Sequence, residues 1–412
     1  MNWPRCAGVL TAGTVLAVIA AMSTGSAALA APSGHLSGVA TLPLRVKVVG
    51  TLPDGRPQIT KTTPTGLSPA AIQSVYNLSG LTPTSGAGAG QIIAIVDAFH
   101  DPNALSDLNT FSSQYGEPKL STCSSLSQTG ACFEQVEPAK GTPRVNSGWV
   151  LEESLDIEWA HAEAPGAKIV LVEASTNSFT NLFNAVVAAN KLNPTEVSLS
   201  WGGGESSGET STDADLAHAG TFYTVSAGDS GHGAQYPAAS PNVISVGGTT
   251  LNGCRGTSCS GFTSETTWSG SGGGASAVEP IPSYQSGYAG PVFGASTIAA
   301  LTGNMRGIPD VSFDANLNTG VSIFDSTSDQ GQSGWFTVGG TSIGAPNWAG
   351  ILAAGAAAGK TALQGDSAIY KGGFSTNLRD ITSGMNGSCG TDCSAGTGYD
   401  LVTGLGSPIN YP

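Results

Sequence analysis

The sequence predicts an α/β fold with a mostly parallel central sheet and helices on both faces of that sheet. Short continuous apolar runs, which are typical of buried parallel strands, alternate along the chain with longer stretches that carry helix signals. This alternation is the pattern of doubly wound sheets. In such folds the working residues gather in the loops that follow the carboxyl ends of the strands.

The individual elements follow from the same signals, taken in chain order. Segment 31–66 contains several prolines and few helix signals, so we predict an extended or β-like leader. Strands are predicted at residues 91–96, 168–173, 196–201, 221–226 and 243–246. Helices are predicted at residues 68–76, 102–115, 152–162 and 179–189, and a last one is predicted within 339–353.

Composition excludes some classes of partner. The chain has 412 residues with 15 Lys+Arg and 29 Asp+Glu, and its formal net charge is −14. Such an acidic surface argues against binding to nucleic acid or to anionic membranes. It suits a protein that works at low pH, where protonation of carboxylates brings the net charge down.

Residues 1–30 read as a secretory signal. Arg5 supplies the positive end, residues 7–22 are apolar, and residues 28–30 offer a small-residue cleavage site. The apolar run is too short for a comfortable membrane span, and no second one follows. We therefore expect a secreted, extracellular protein that has no membrane attachment once the signal is removed.

The cysteines agree with an oxidising compartment. Cys6 belongs to the predicted signal, and the others fall into three close pairs at 123/132, 254/259 and 389/393. Pairing within each close pair is the simplest of many connectivities, so we predict three local disulfides. A zinc site is the weaker alternative, because the chain has no C-x-x-C pair and no histidine close in sequence to any pair.

Ser342 stands at a turn before the last predicted helix, in the sequence GGTSIGAPNWAGILA. A serine in this place has helix N–H groups and the positive end of the helix dipole nearby, which favours a nucleophile and a developing oxyanion. The common alternative is that Ser342 only caps the helix. The interpretation of Ser342 as a nucleophile requires a base elsewhere in the chain.

A pair of carboxyl groups is better suited to this task than any histidine. None of the histidines stands in a sequence setting typical of a Ser-His-Asp triad, and a histidine would already be protonated at acidic pH. Glu152 and Asp156 are four residues apart on a predicted helix, so they can share a proton. The alternative is a solvated acidic helix face, to which we expect Glu153, Glu158 and Glu163 to belong.

Asp229 is a third carboxylate of interest, because it follows a buried strand within Ala-Gly-Asp-Ser-Gly. The same sequence is equally good turn chemistry. Taken together with other segments, however, it completes an ordered set of motifs. These are Glu152-x-x-Leu155-Asp156, Ala164-Pro165-Gly166-Ala167, Ser200-Trp201-Gly202, Ala227-Gly228-Asp229-Ser230-Gly231, Arg306-x-x-Pro309-Asp310-Val311-Ser312 and Gly340-Thr341-Ser342-x-x-x-Pro346.

This ordered set resembles the sedolisins, serine-carboxyl peptidases with a subtilisin-like fold, over residues 66–412. The resemblance implies that Ser342 is the nucleophile. It implies that Glu152 is the general base and then the acid, with Asp156 hydrogen-bonded behind it. Asp229 would face the oxyanion and donate a hydrogen bond to it when protonated.

The resemblance also implies one calcium ion near the end of the chain. Asp380, Ile381, Gly396, Gly398 and Asp400 would supply carboxylate and carbonyl oxygens, which Ca²⁺ prefers. An ordinary Asp/Gly turn is the alternative.

The resemblance implies a monomeric secreted acid endopeptidase that acts on proteins or peptides, with a leader at 31–66 and a peptidase domain at 67–412. The leader is shorter than the folded prosegment of sedolisins, which leaves autocatalytic activation open. Three alternatives stay open: an exopeptidase that releases short peptides, a non-catalytic exported binding protein on the same fold, and, ranked last, a glycosidase that uses Glu152 and Asp156.

Overall fold

The computed structural model describes residues 38–42, 44–78, 86–373 and 376–411, all of which lie in one unit of the chain, Gly34–Pro412. The predicted signal at 1–30, with Cys6, and the part of the leader that contains His35 lie outside the described residues. Within the described ranges, no helix has the length and apolar character needed to cross a membrane.

The strands are short, and all five that the apolar runs predict are present among them. In chain order they are β1 Arg45–Val46, β2 Gly50–Thr51, β3 Pro57–Gln58, β4 Thr60–Lys61, β5 Ile92–Ala98, β6 Phe133–Val136, β7 Lys168–Ala174, β8 Glu196–Leu199, β9 Gly203–Gly204, β10 Phe222–Ser226, β11 Gln235–Tyr236, β12 Ile244–Asn252, β13 Ser264–Thr267, β14 Gly274–Pro280, β15 Met305–Ile308, β16 Val311–Asp314, β17 Val321–Asp329, β18 Gln332–Gly339, β19 Leu378–Arg379 and β20 Ser407–Pro408.

The α-helices of the described chain are α1 Pro69–Tyr76, α2 Ala104–Tyr115, α3 Ser147–Glu163, α4 Phe179–Asn190, α5 Ser283–Ser286, α6 Ile298–Thr302, α7 Gly344–Ala357 and α8 Asp366–Ala368. The predicted helices are all present. Helix α3 begins five residues before the predicted start because the side chain of Asn146 accepts a hydrogen bond from Trp149 N and caps it.

An eight-stranded sheet forms the centre, in the order β13-β12-β10-β8-β5-β7-β6, with β16 also paired to β12. Every pair in it is parallel except β12 with β13. Alternate residues of its strands pack on opposite sides: Val96 and Val172 lie with α4, and Ile95 and Leu171 lie with α3 and α7. This confirms a mostly parallel sheet with helices on both faces.

Helix α3 has no solvated face, so the prediction for Glu153, Glu158 and Glu163 was wrong. All three are fully buried, because α3 is enclosed by α2, α7, β17 and the central sheet. Glu158 accepts hydrogen bonds from Phe324 N. Gln73 donates to Glu163.

A smaller antiparallel sheet joins the leader to the main body. Strand β18 pairs with β17 on one side and with β1 and β4 of the leader on the other. The described part of the leader is therefore extended, as predicted, and it reaches the end of β18 that leads into Ser342. The three predicted local disulfides are all formed.

Arg306 and Asp310 form a buried ion pair, with both side chains fully inaccessible and Nη1 of the arginine 2.7 Å from Oδ1 of the aspartate. Replacing only one partner leaves an uncompensated charge. We expect Arg306→Ala to lower the free energy of unfolding by about 3–5 kcal/mol, measured by denaturant titration. The exposed Arg255→Ala is the control, and we expect it to change that free energy by less than about 0.5 kcal/mol. Equal losses in the two variants would contradict the prediction.

Candidate active site

The four sequence-predicted catalytic residues come together beside the carboxyl ends of the central strands. Glu152 and Asp156 project from α3, Asp229 follows β10, and Ser342 lies in a 3₁₀ turn, Thr341–Ile343, between β18 and α7. Glu152 interacts with both Ser342 and Asp229. Helix α3 packs against the 3₁₀ turn, so the carboxyl pair and the serine meet across one interface.

Ser342 is not a helix cap. Ile343 occupies the N-cap position of α7 with helical angles (φ −59°, ψ −40°), because the 3₁₀ turn runs directly into the helix, and it makes no side-chain cap bond. Ser342 is fully buried, and its Oγ has no hydrogen-bond partner. The hydroxyl is therefore not used to stabilise the start of α7.

Glu152 is buried, and both of its carboxyl oxygens lack hydrogen bonds. Burial raises its pKa well above the ordinary value, and the charges of Asp97 and Asp229 raise it further, while the nearby Ser342 hydroxyl lowers it. The serine is thus close enough to affect the carboxyl group, although no bond of normal geometry joins them here. Double ionisation of Glu152 together with its neighbours is therefore disfavoured, and the two free oxygens of Glu152 can exchange a proton with a neighbouring group.

Asp156 lies one helical turn further along α3 and is also buried. Its Oδ1 accepts a hydrogen bond from Ser200 Oγ at 2.9 Å, and its Oδ2 has no partner. Burial raises the pKa of Asp156, and the charges of Asp97 and Glu152 raise it further. Simultaneous ionisation of Glu152 and Asp156 is therefore disfavoured, as it is in two carboxyl groups that share one proton.

Asp97 is a residue of this site that sequence reasoning did not identify. It is the penultimate residue of β5, it is fully buried, and neither of its oxygens has a hydrogen bond. Burial and then the charge of Glu173 raise its pKa to about 8. Of the neighbouring charges, that of Asp97 has the largest effect on the pKa values of both Glu152 and Asp156. The signal in the sequence that could have identified Asp97 is an acidic residue within an otherwise apolar strand.

Asp229 is held by the residue that precedes Ser342. Its Oδ1 accepts hydrogen bonds from Thr341 N at 2.8 Å and Thr341 Oγ1 at 3.0 Å, whereas its Oδ2 accepts none. Burial raises its pKa to about 7, although Thr341 and Arg45 lower it. The free oxygen of a protonated Asp229 can donate a hydrogen bond.

The described histidines have other partners. His100 contacts Glu173, His161 donates to Pro118 O, and His218 contacts Asn193. His232 lies beside Cys389 and Cys393, which are close to it in space but bonded to each other. No contact of these four described histidines reaches Ser342.

The residues predicted to bind calcium surround one loop. Asp400 Oδ2 accepts a hydrogen bond from Gly396 N at 2.9 Å, and Asp380 Oδ2 accepts one from Gly398 N at 3.0 Å. Among the described residues, no backbone hydrogen bond reaches the carbonyl oxygens of Ile381, Gly396 or Gly398. The donor set is therefore all oxygen with free carbonyls, which fits a hard cation such as Ca²⁺.

Comparison with known proteins places the chain in a family. The profile of the subtilase family matches residues 146–364. The chain is 28% identical to sedolisin from Pseudomonas sp. (strain 101), covering 83% of this chain and 60% of that protein. It is 31% identical to kumamolisin from Bacillus sp. (strain MN-32), covering 84% of this chain and 62% of that protein.

A solved structure agrees. Pseudomonas sedolisin, a serine-carboxyl proteinase complexed with two molecules of pseudo-iodotyrostatin, superposes with a TM-score of 0.66 at 27% identity over 84% of this chain and 96% of that one. The fold is therefore that of a subtilisin-like enzyme. The chain belongs to the subtilase family and, within it, to the sedolisins, as the sequence motifs predicted. It spans about 60% of the length of the two curated relatives.

The buried carboxyl groups predict a fold that is more stable in acid. A carboxyl whose pKa is raised in the folded state contributes stability that is full below its unfolded value and is lost as pH rises through its folded value. The pKa values of Asp97 and Asp229 are raised to about 8 and about 7. We therefore expect Tm to fall between about pH 4 and pH 8, measured by calorimetry.

Asp97→Asn should make this decline smaller, because its amide does not ionise. Asp54→Asn is the control, since Asp54 is exposed and its pKa is lowered by Arg56. A Tm that rises from acid to neutral pH, or an unchanged decline in Asp97→Asn, would count against the prediction.

Proposed function

We propose that this protein is a secreted, acid-acting serine-carboxyl endopeptidase that hydrolyses peptide bonds through an acyl-enzyme on Ser342. The observation that carries the proposal is the unpartnered Ser342 hydroxyl beside the buried Glu152–Asp156 pair. A nucleophile needs a base within reach, and a proton-sharing carboxyl pair is a base that still works in acid. The sedolisin relatives and the excess of acidic residues support the same function.

In this mechanism Glu152 accepts the Ser342 proton as the hydroxyl oxygen attacks the peptide carbonyl, and it then delivers the proton to the leaving amine. Asp156, which accepts a hydrogen bond from Ser200, shares the proton with Glu152 while Glu152 changes from base to acid. Water repeats the sequence on the acyl-enzyme and regenerates Ser342. Asp97 disfavours a second negative charge on the pair, and no hydrogen bond joins it to Ser342.

Asp229 serves the oxyanion. The Thr341 bonds fix Oδ1, so the proton of the neutral acid resides on the free Oδ2 and can be donated to the developing negative charge. An ionised Asp229 would repel that charge instead. Acidic working pH therefore has two separate sources, one in the Glu152–Asp156 pair and one in Asp229.

We also propose that Asp380, Ile381, Gly396, Gly398 and Asp400 hold one calcium ion. When bound, the ion would neutralise the two carboxylates and connect the loop around Gly396 to the strand end at Asp380. The disulfide between Cys389 and Cys393 restricts the intervening loop. These residues would bind and order the loop, and they take no part in proton transfer.

Substitution of the proposed nucleophile and base tests the mechanism. Ser342→Ala and Glu152→Gln should each lower cleavage of a denatured protein at about pH 4 by at least about 1000-fold, because triad-like groups act as a unit. Glu163→Gln is the matched control, since Glu163 is on the same helix and equally buried but contacts Gln73. We expect it to retain activity.

Product sequencing from a peptide mixture separates internal cleavage from release of terminal peptides. Full activity in either Ser342→Ala or Glu152→Gln would refute the mechanism. A folded wild type that cleaves nothing at any acidic pH would favour a non-catalytic binding protein.

Removal of calcium should destabilise the protein. We expect a chelator to lower Tm by about 5 °C or more, because an ion at 100 times its dissociation constant contributes about 2.7 kcal/mol. Asp400→Asn should have a lower Tm and lose most of this response. Asp392→Asn, an exposed carboxyl in the adjacent loop, is the control and should respond like the wild type. A chelator without effect on Tm would contradict the calcium site.

A further inference from the structure

Three side chains with metal-ligating atoms meet at the carboxyl ends of neighbouring strands. His100 stands just after β5, Glu137 directly follows β6, and Glu173 is the penultimate residue of β7. In the central sheet β7 lies between β5 and β6 and pairs in parallel with both. The three strand ends therefore lie side by side, at the edge of the sheet where parallel sheets bind their ligands.

The spacings of the ligand atoms suit a small cation. Nδ1 of His100 lies 2.9 Å from Oε2 of Glu173 and 3.7 Å from Oε1 of Glu137. All three atoms lie within 4.8 Å of one another. Ligands at their usual distances from a tetrahedral Zn²⁺ ion are about 3.3–3.6 Å apart. The two measured spacings lie on either side of this range, so small side-chain shifts would bring both into it.

Glu173 is held in place through its other carboxyl oxygen. Its Oε1 accepts hydrogen bonds from Asp101 N at 2.8 Å and from Gln135 Nε2 at 2.7 Å, whereas its Oε2 faces His100. Gln135 also donates to Asp101 O at 2.8 Å. Carboxylates that ligate metal ions are hydrogen-bonded in this way, because the bonds fix the direction of the ligating oxygen. Glu173 is fully buried, so its Oε2 stays directed at His100.

Buried carboxyl oxygens without partners stand beside this group. Asp101 is fully buried, and its Oδ1 accepts a hydrogen bond from Asn103 N, but its Oδ2 has no partner among the described residues. Both Glu173 and His100 act on Asp101 through their charges. Asp97 feels the charge of Glu173, and within the described chain both of its buried oxygens are unpartnered as well. Unsatisfied buried carboxyl groups are costly, and a nearby cation would offset that cost.

A simple ion pair between His100 and Glu173 is the alternative to a metal site. It accounts for the shorter of the two spacings, but it leaves Glu137 Oε1 at 3.7 Å from the same nitrogen. It also leaves Oδ2 of Asp101 without a partner in the described chain. One imidazole would then be shared by three carboxyl groups. A doubly charged cation, bound in place of the proton on Nδ1, fits this set of donors better.

We propose that His100, Glu137 and Glu173 bind one Zn²⁺ ion at the carboxyl ends of β5, β6 and β7. One imidazole nitrogen and two carboxylate oxygens are ligands of Zn²⁺, whereas Ca²⁺ and Mg²⁺ prefer oxygen alone. The side chains of His100 and Glu137 are 19% and 26% exposed, so the ion can enter from solvent and water can complete its coordination. The ion would connect β6, a four-residue strand at the edge of the sheet, to β7 and β5.

Calorimetric titration of the 412-residue chain with zinc chloride tests the site. The titration is made at about pH 7, where histidine is mainly neutral, and with excess Ca²⁺ so that zinc does not occupy the proposed calcium loop. We expect a dissociation constant of about 1 μM or lower. His100→Ala and Glu137→Gln each remove one ligand and should weaken binding by at least about tenfold. Glu137 is partly exposed, so Glu137→Gln should fold normally, which a melting curve verifies.

His232→Ala is the matched control, because His232 also lies beside potential ligands, but these are cysteines that are bonded to each other. It should bind zinc like the wild type. Gln135→Ala keeps all three ligands and removes a bond that orients Glu173, so it should weaken binding by about 10–100-fold. Absence of zinc binding to the wild type would overturn the inference. Equal zinc affinity in the wild type, His100→Ala and Glu137→Gln would overturn it as well.

Thermal unfolding gives a second measurement that needs no enzymatic activity. Zinc at about 100 times its dissociation constant should raise Tm of the wild type by about 5 °C or more. It should leave Tm of His100→Ala unchanged, and Mg²⁺ at the same concentration should not change Tm of the wild type. An equal rise in the wild type and in His100→Ala would contradict the site. Neither measurement involves Ser342 or Glu152, so the zinc site and the proposed peptidase function can fail independently.

Discussion

The constraint on which the site depends is the burial of helix α3. Because α3 lies between the central sheet, α7 and β17, its carboxyl groups cannot reach water. Desolvation of an ionised carboxylate is costly, so double ionisation is disfavoured and neighbouring carboxyl groups share a proton instead. The same packing that completes the core therefore raises the pKa values of Glu152 and Asp156, on which their proposed role as a base in acid depends. A solvated α3 would carry ordinary carboxylates and could offer no proton-sharing pair.

Thr341 connects the two halves of the site through one residue. It accepts a hydrogen bond from Gly228 N, donates two to Asp229, and directly precedes Ser342. The positions of Asp229 and of Ser342 are thus fixed relative to each other by the side chain and backbone of one residue. This coupling joins the end of β10 to the end of β18, two strands of different sheets.

Sequence predicted the parts of the site that local patterns encode. Asp229 follows an apolar run, Ser342 stands at a turn before a predicted helix, and Glu152 with Asp156 has helical spacing, so each was identifiable. Asp97 was not, because its neighbours lie on a distant helix and become neighbours only in the folded chain. Glu153 was placed in solvent for the same reason: residue spacing shows which side chains share a face, and tertiary packing decides whether that face is exposed.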